Sequence, residues 1–447
     1  MPAPRPPAAL CAAVLLALWT AGPALAEDAA APFPFQEGEM VTFDRLEAIR
    51  PFLPPELWTH RRFVFFEGMR LEIGPAQRDY GPAGVYAAAS DRHRGSARLG
   101  PDGALEGYVA GQPFAVEEID CAGDPQAGLR IIWNMMKRWQ GSGAASSYLY
   151  TYWDRGERTA LYYQGTSRMV QLAHRPEPQY AERGGDVYER DQRQLAWGIE
   201  VDDPPASRGI LIMTYRYKSA DGPLADAKSD DTWVYQPAMR RVRRIATKQR
   251  TDPIDGTDFT LDDLGSFSGI PPQMEWSCRG VSDVVAPVNT RHLAFPYEKA
   301  DYDFGPLGLS FANDRWELRR AYTIRFVPRN ADHPYAFKDI YLDQQTWEPL
   351  YSFAYDQKKE LWKIILHNHR WSEDWRGNDP AAKNGVWYEG WEGVEEPRDL
   401  RVVSDVVINV QTGTGNRIEF WDNHGTPMRD TRAQRQYIDF NRLTRGR

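Results

Sequence analysis

SYLYTYWDRGERTALYYQG, residues 147–165, holds two runs of alternating side chains around one polar break. Ser147 to Trp153 and Thr159 to Gly165 each repeat with period two, the pattern of a strand with two unlike faces. Asp154 to Arg158 between them contains Gly156, so the stretch reads as a β-hairpin. The pattern recurs along the chain. GILIMTYRYK (Gly209 to Lys218) and TWVYQP (Thr232 to Pro237) form a second pair across a polar loop. Three more runs are Ala321 to Pro328, Lys338 to Asp343 and Pro349 to Asp356. LWKIILHNHRW follows the turn Gln357 to Glu360, and VVSDVVINV and NRIEFWD flank a Gly/Thr turn near the C-terminus. Successive antiparallel strands on short turns make a meander, and a long meander curls into a barrel or a deeply curved sheet.

Helical patterning is scarce. Gln126 to Trp139 puts Leu129, Ile132, Trp133 and Met136 on one stripe. Phe43 to Arg50 suits a short helix stopped by Pro51. The expectation is a mainly β chain: one β-rich domain over 27–447. A soft boundary at Asp202 to Pro205 would divide it into sub-lobes of about 27–202 and 206–447, and a loop within one sheet explains it equally well.

Met1 to Ala26 reads as a secretory signal peptide. Arg5 precedes an apolar run from Ala8 to Trp19, and Ala24-Leu25-Ala26 is an A-x-A end before Glu27. Cys11 lies within that run, where Ala8 does not suit a lipobox. No other window is apolar enough to span a bilayer as a helix. A periplasmic protein is therefore expected. Its net charge of -8 argues against nucleic acid as a partner. Cys121 and Cys278 remain after cleavage, either bridged or as two buried thiols.

The common catalytic signatures are absent, and neither a catalytic residue nor a cofactor is expected. His367-Asn368-His369 puts two imidazoles on one strand face, with no third metal ligand in view. A solvated histidine pair is the plainer reading. Asp252, Asp255 and Asp258 make an incomplete calcium loop, and aspartates also simply form turns.

The chain carries 16 Trp, 22 Tyr and 18 Phe. Buried phenols need partners, so the Tyr-rich strands suit either a filled core or the wall of a ligand cavity. Leu211, Met213, Tyr215, Trp233 and Tyr235 are the candidate wall. Arg240, Arg241, Arg243 and Arg244 are candidate rim residues for an anionic headgroup, or partners of the aspartates that follow. On a strand, Arg240, Val242 and Arg244 would share one side, and Arg241 and Arg243 the other.

TWVYQPAMRRVRRI followed by GTDFTLDDLGSFSGIP resembles the W-x-Y-x-P-x-x-R-R-V-R-R and later D-F/D-L pattern of the exported family called domain of unknown function 1329. GYVAGQPFAVEE with GLRIIWNMMKRWQG, and KDIYLDQQTWEPLYSFAYDQKKELWKI, resemble further segments of it in the same order. The chain is also similar to the broader group of outer-membrane lipoprotein-sorting, Lol carrier-like proteins. The resemblance covers roughly residues 45 to 447. It implies a large curved antiparallel sheet or open β-barrel, with a few helices plugging its concave face. It also implies a periplasmic setting beside RND-type exporters.

Three functions follow as expectations. The first is a non-catalytic carrier for a lipid, a lipoprotein acyl chain or another hydrophobe. The second is an accessory subunit of an RND-type transporter, acting through its surface. The third is an enzyme on a hydrophobic substrate, which convergent carboxylates or His367 inside a cavity would favour.

Overall fold

A computed structural model describes residues 32–154, 159–245, 250–290, 304–375, 396–423, 439–441 and 443. The expected signal peptide, with Arg5 and Cys11, lies outside them. Every element below belongs to the unit Phe35–Arg447.

Seventeen strands are described. The N-terminal part contributes β1 (Met40–Thr42), β2 (Arg70–Ile73) and the small pair β3 (Arg98–Leu99) and β4 (Leu105–Glu106). The hairpin stretch becomes β5 (Gly143–Trp153) and β6 (Thr159–Gln171). β7 (Arg193–Asp203), β8 (Leu211–Tyr217), β9 (Asp231–Gln236) and β10 (Arg241–Ile245) continue the meander. β11 (Met274–Pro287), β12 (Arg315–Pro328), β13 (Phe337–Asp343), β14 (Pro349–Tyr355) and β15 (Leu361–Trp371) form a second run. β16 (Leu400–Asn409) and β17 (Thr414–Asn423) follow.

Fifteen strands join in one open sheet, in the order β1-β2-β12-β13-β14-β15-β16-β17-β5-β6-β7-β8-β9-β10, with β11 also on β12. β2 and β12 run parallel, and the other pairs are antiparallel. β17 beside β5 stitches the two meanders together. The soft boundary at Asp202 to Pro205 falls in the β7–β8 hairpin, whose strands pair directly. β10, which carries Arg241, Arg243 and Arg244, is an edge strand.

Three α-helices are described: α1 (Pro55–Thr59), α2 (Gly84–Arg92) and α3 (Ala127–Lys137). Phe43–Phe52 is a 3-10 stretch and contains Pro51, so the proline does not stop it. The segment ends one residue later, where the Leu53 N–H donates to the Arg50 carbonyl. The tighter winding of a 3-10 turn accommodates what an α-helix interior would not.

α3 buries Ile131, Ile132 and Met135 against Trp276, Tyr322, Ile324 and Phe326 of β11 and β12. Leu129 and Met136, from the expected stripe, are only partly buried. The close approach requires Gly128. A Cβ there would stand 2.7 Å from the Ser277 backbone nitrogen of β11. Cys121 and Cys278 form a disulfide across 157 residues, tying the segment ahead of α3 to the same strand.

Candidate functional site

Residues 250–273 cross the sheet face that α3 also covers. The 3-10 segment Leu261–Ser266 lies against β14, β15 and β16. Phe259 packs on Tyr150 of β5 with ring centroids 6.0 Å apart, and Phe267 packs on Trp276 and Phe326. The aspartates hold this segment down. Asp255 accepts from the Tyr163 hydroxyl, and Asp258 accepts from Asn409 Nδ2 at 2.6 Å and from the Thr414 hydroxyl. Asp263 caps the segment with Thr260 and takes Lys338 at 2.9 Å and Lys363 at 3.0 Å. Burial alone would raise the Asp263 carboxyl, but the charges of Lys363 and Lys338 override it and hold it far below the usual range. The aspartates therefore answer to lysines, amides and hydroxyls of the sheet. Asp262 takes an arginine, but it is Arg250, outside the run. The described residues contain no group of three or more acidic, His or Cys side chains placed to hold a metal.

Between this plug, the C-terminal end of α3 and the sheet lies a cavity of about 360 Å³. Strand register builds its floor. Ala144, Met169, Trp197, Thr214 and Thr232 stand side by side on β5, β6, β7, β8 and β9, and all line the cavity. Ser146 and Ser167 are the next opposed pair on β5 and β6. Met135 and Met136 come from α3, and Leu264 and Phe267 from the plug.

The expected wall residues lie on the other face of the same strands. Leu211, Met213 and Tyr215 are buried in a cluster with Val170, Leu172 and Ala196, and Trp233 and Tyr235 pack against it. The C-terminal residues Phe440 and Leu443 cover that face. Phe440 meets the Trp233 ring at 5.1 Å, and Leu443 is fully buried. The alternation was read correctly, but the cavity faces Thr214 and Thr232. Nothing local to β8 or β9 reports which face a distant tail will cover.

The arginines also divide by face. Arg244 lies opposite Trp233 and pairs with Asp231, on the covered side. Arg241 and Arg243 lie opposite Gln236 and Val234, on the cavity's side of the edge strand, but outside the cavity lining. Arg240 occupies the β9–β10 turn with φ 49°. Arg240, Arg241 and Arg243 are exposed and make no ion pair among the described residues.

Among the described residues, every lysine and arginine lining the cavity has a carboxylate. Lys137 meets Asp221 at 2.5 Å, Arg138 meets Glu348 at 2.6 Å and Arg401 meets Asp399 at 2.7 Å. Asp230 is shared by Arg216 at 2.8 Å and Arg250 at 2.6 Å, and Arg250 also meets Asp262 at 3.0 Å. Burial raises the carboxyls of Glu348 and Asp399, and their guanidinium partners oppose it.

A family model described as protein of unknown function (DUF1329) matches residues 59–435. The chain belongs to the DUF1329 family. An uncharacterized protein of Pseudomonas aeruginosa is 24% identical over 299 residues, which is 63% of this chain and 58% of that protein. This chain thus spans less than two thirds of that relative's length. Among solved structures, a DUF1329 family protein from Desulfovibrio piger matches 72% of this chain and 99% of its own. Its identity is 15% and its TM-score 0.45. A protein domain named for outer membrane lipoprotein sorting, from Vibrio parahaemolyticus, matches 72% and 100% at 14% identity and TM-score 0.45.

Within this DUF1329 chain the two β15 histidines are fully buried; they are not a solvated pair. His367 Nδ1 stands 2.5 Å from Asp405 Oδ1, and its Nε2 stands 2.6 Å from the Ser266 hydroxyl. Hydroxyl, imidazole and carboxylate thus line up in one relay. Ser266 has φ 67°, in the left-handed region. Asp405, Gly265 and Phe267 line the cavity, while Ser266 itself is fully buried behind them. His369 lies 3.8 Å from Glu348, and burial pushes its imidazole well below its ordinary pKa. Sequence spacing could not assemble these groups, since Ser266 and His367 are 101 residues apart.

Proposed function

We propose that this chain is a periplasmic carrier that binds one hydrophobic molecule in the cavity under the plug and performs no chemistry on it. The observation that supports this is the cavity of about 360 Å³ floored by Met169 and Trp197, within the size range of small-molecule sites. Roughly ten buried methylenes at about 0.8 kcal/mol each would supply about 8 kcal/mol against the cost of association. The Cys121–Cys278 disulfide favours an oxidising compartment, in keeping with the signal-like N-terminus. An RND-type transporter, implied by the family resemblance, would be donor or acceptor of the ligand.

The test is native mass spectrometry of the full chain purified from its own periplasm. A co-purifying lipid-sized mass is expected. Ala144→Phe, which puts a ring into the cavity from the β5 end of the floor, should remove that mass and keep the fold. A bare protein mass for the folded wild type would count against the carrier.

The Ser266–His367–Asp405 relay favours a second reading, an acyl-transfer enzyme. It requires the plug to move, because Ser266 has no exposed surface. A fluorophosphonate probe decides between the two. Labelling that vanishes in Ser266→Ala supports the enzyme, and no labelling of the wild type leaves the relay as a pin for the plug.

A further inference from the structure

The charged groups around the cavity have a common property. Among the described residues five cations and five carboxylates line it, and each of those cations lies within 2.8 Å of a carboxylate oxygen. Asp405, the one carboxylate of the five not held by a cation there, takes His367. An entering anion would find no spare positive charge among the described lining residues. To gain one it must displace a carboxylate, which would then be buried without a partner, the costly arrangement in a low-dielectric site. An entering ammonium meets the same obstacle with the signs exchanged.

The uncharged polar groups do have capacity. Ser146 and Ser167 face each other across β5 and β6. The Ser167 oxygen accepts from Trp197 Nε1 at 3.2 Å, which leaves its own O–H to donate. The hydroxyls of Thr214 and Thr232 bond to each other at 2.9 Å, so one of the two O–H groups is also free. Ser146 makes no side-chain hydrogen bond among the described residues. These groups flank an apolar strip formed by Met169 and Trp197.

We propose that the cavity selects an uncharged hydrophobe carrying a hydroxyl or carbonyl group, and rejects anionic and cationic amphiphiles of the same chain length. This rests on the carrier reading, and it assigns the polar contacts to Ser146, Ser167, Thr214 and Thr232. The exposed Arg241 and Arg243 lie outside the lining and take no part.

The test uses delipidated full-length protein loaded with Nile red, near neutral pH. Dodecanol competes below its solubility limit, and dodecanoate and dodecylammonium below their micellar concentrations. Dodecanol should displace the dye at a concentration about tenfold or more below either ion. Asp399→Asn, which leaves Arg401 without its carboxylate, should move the preference toward dodecanoate. Asp230→Asn should do so more strongly, since two guanidiniums lose their shared partner. Should either variant fail to fold, the other serves. Dodecanoate matching dodecanol in the wild type overturns the proposal. So does a dodecanoate affinity that disappears in Arg241→Gln/Arg243→Gln, because the edge arginines would then hold the headgroup. If none of the three competes and Nile red does not bind, the carrier reading itself falls, and this inference with it.

Discussion

Lys338 Nζ lies 2.9 Å from Asp263 Oδ1, and neither side chain has any exposed surface. The pair joins β13 to the plug. Lys363 of β15 takes the other oxygen of the same carboxylate, and the Tyr335 hydroxyl also donates to it. One aspartate thus fixes the segment that roofs the cavity to two strands of the sheet, β13 and β15.

Removing that carboxylate leaves two buried ammoniums without a counter-charge. Asp263→Asn should cost about 3–5 kcal/mol. Urea unfolding monitored by tryptophan fluorescence measures it, and a loss below about 1 kcal/mol would contradict this account of the plug.

The arginine run should behave differently. Arg241 and Arg243 are exposed on an edge strand, where charge mainly discourages strand-to-strand association. Arg241→Gln/Arg243→Gln should change stability by no more than about 0.5 kcal/mol. Arg250→Gln should cost about 2–4 kcal/mol, because Asp262 loses its guanidinium and Asp230 one of two. Equal costs at both places would remove the distinction between edge and plug.

Glu317 provides a pH signature. Burial raises its carboxyl from 4.5 to about 7, with Tyr80 donating to it at 2.7 Å. Between those values the folded protein keeps a proton that the unfolded chain has released. Stability therefore falls as pH rises from 4.5 toward 7, and the deficit persists above it. Glu317→Gln should flatten that slope and gain about 1–3 kcal/mol at alkaline pH. Melting temperatures at pH values on either side of 7 read it directly, and parallel curves for the two proteins would refute the assignment.

The disulfide closes a long loop, 157 residues by separation. Cys121→Ser/Cys278→Ser should lower stability by about 2–4 kcal/mol. Reductant should have the same effect on the wild type and none on the variant, as a denaturation series with and without dithiothreitol would show.

Period-two patterning and turn residues mark β5, β6, β8, β9 and the antiparallel run from β12 to β17, because both are local properties of the chain; β7 and β11 are not among the runs they single out. Ser147 to Gly165 forms the β5–β6 hairpin, and the Asp/Pro break at 202–205 turns β7 into β8. Alternation also separated Leu211, Met213 and Tyr215 from Thr214. It could not say which set meets solvent, ligand or protein. That was decided when Phe440 and Leu443, more than two hundred residues away in sequence, settled on one face and the 250–273 segment with α3 settled on the other. The aspartates were legible as a cluster, but their partners Lys338, Lys363, Asn409 and Thr414 were not. Pairing of buried charges depends on which side chains are brought within about 4 Å in a low-dielectric interior, and no local rule of sequence specifies that distance.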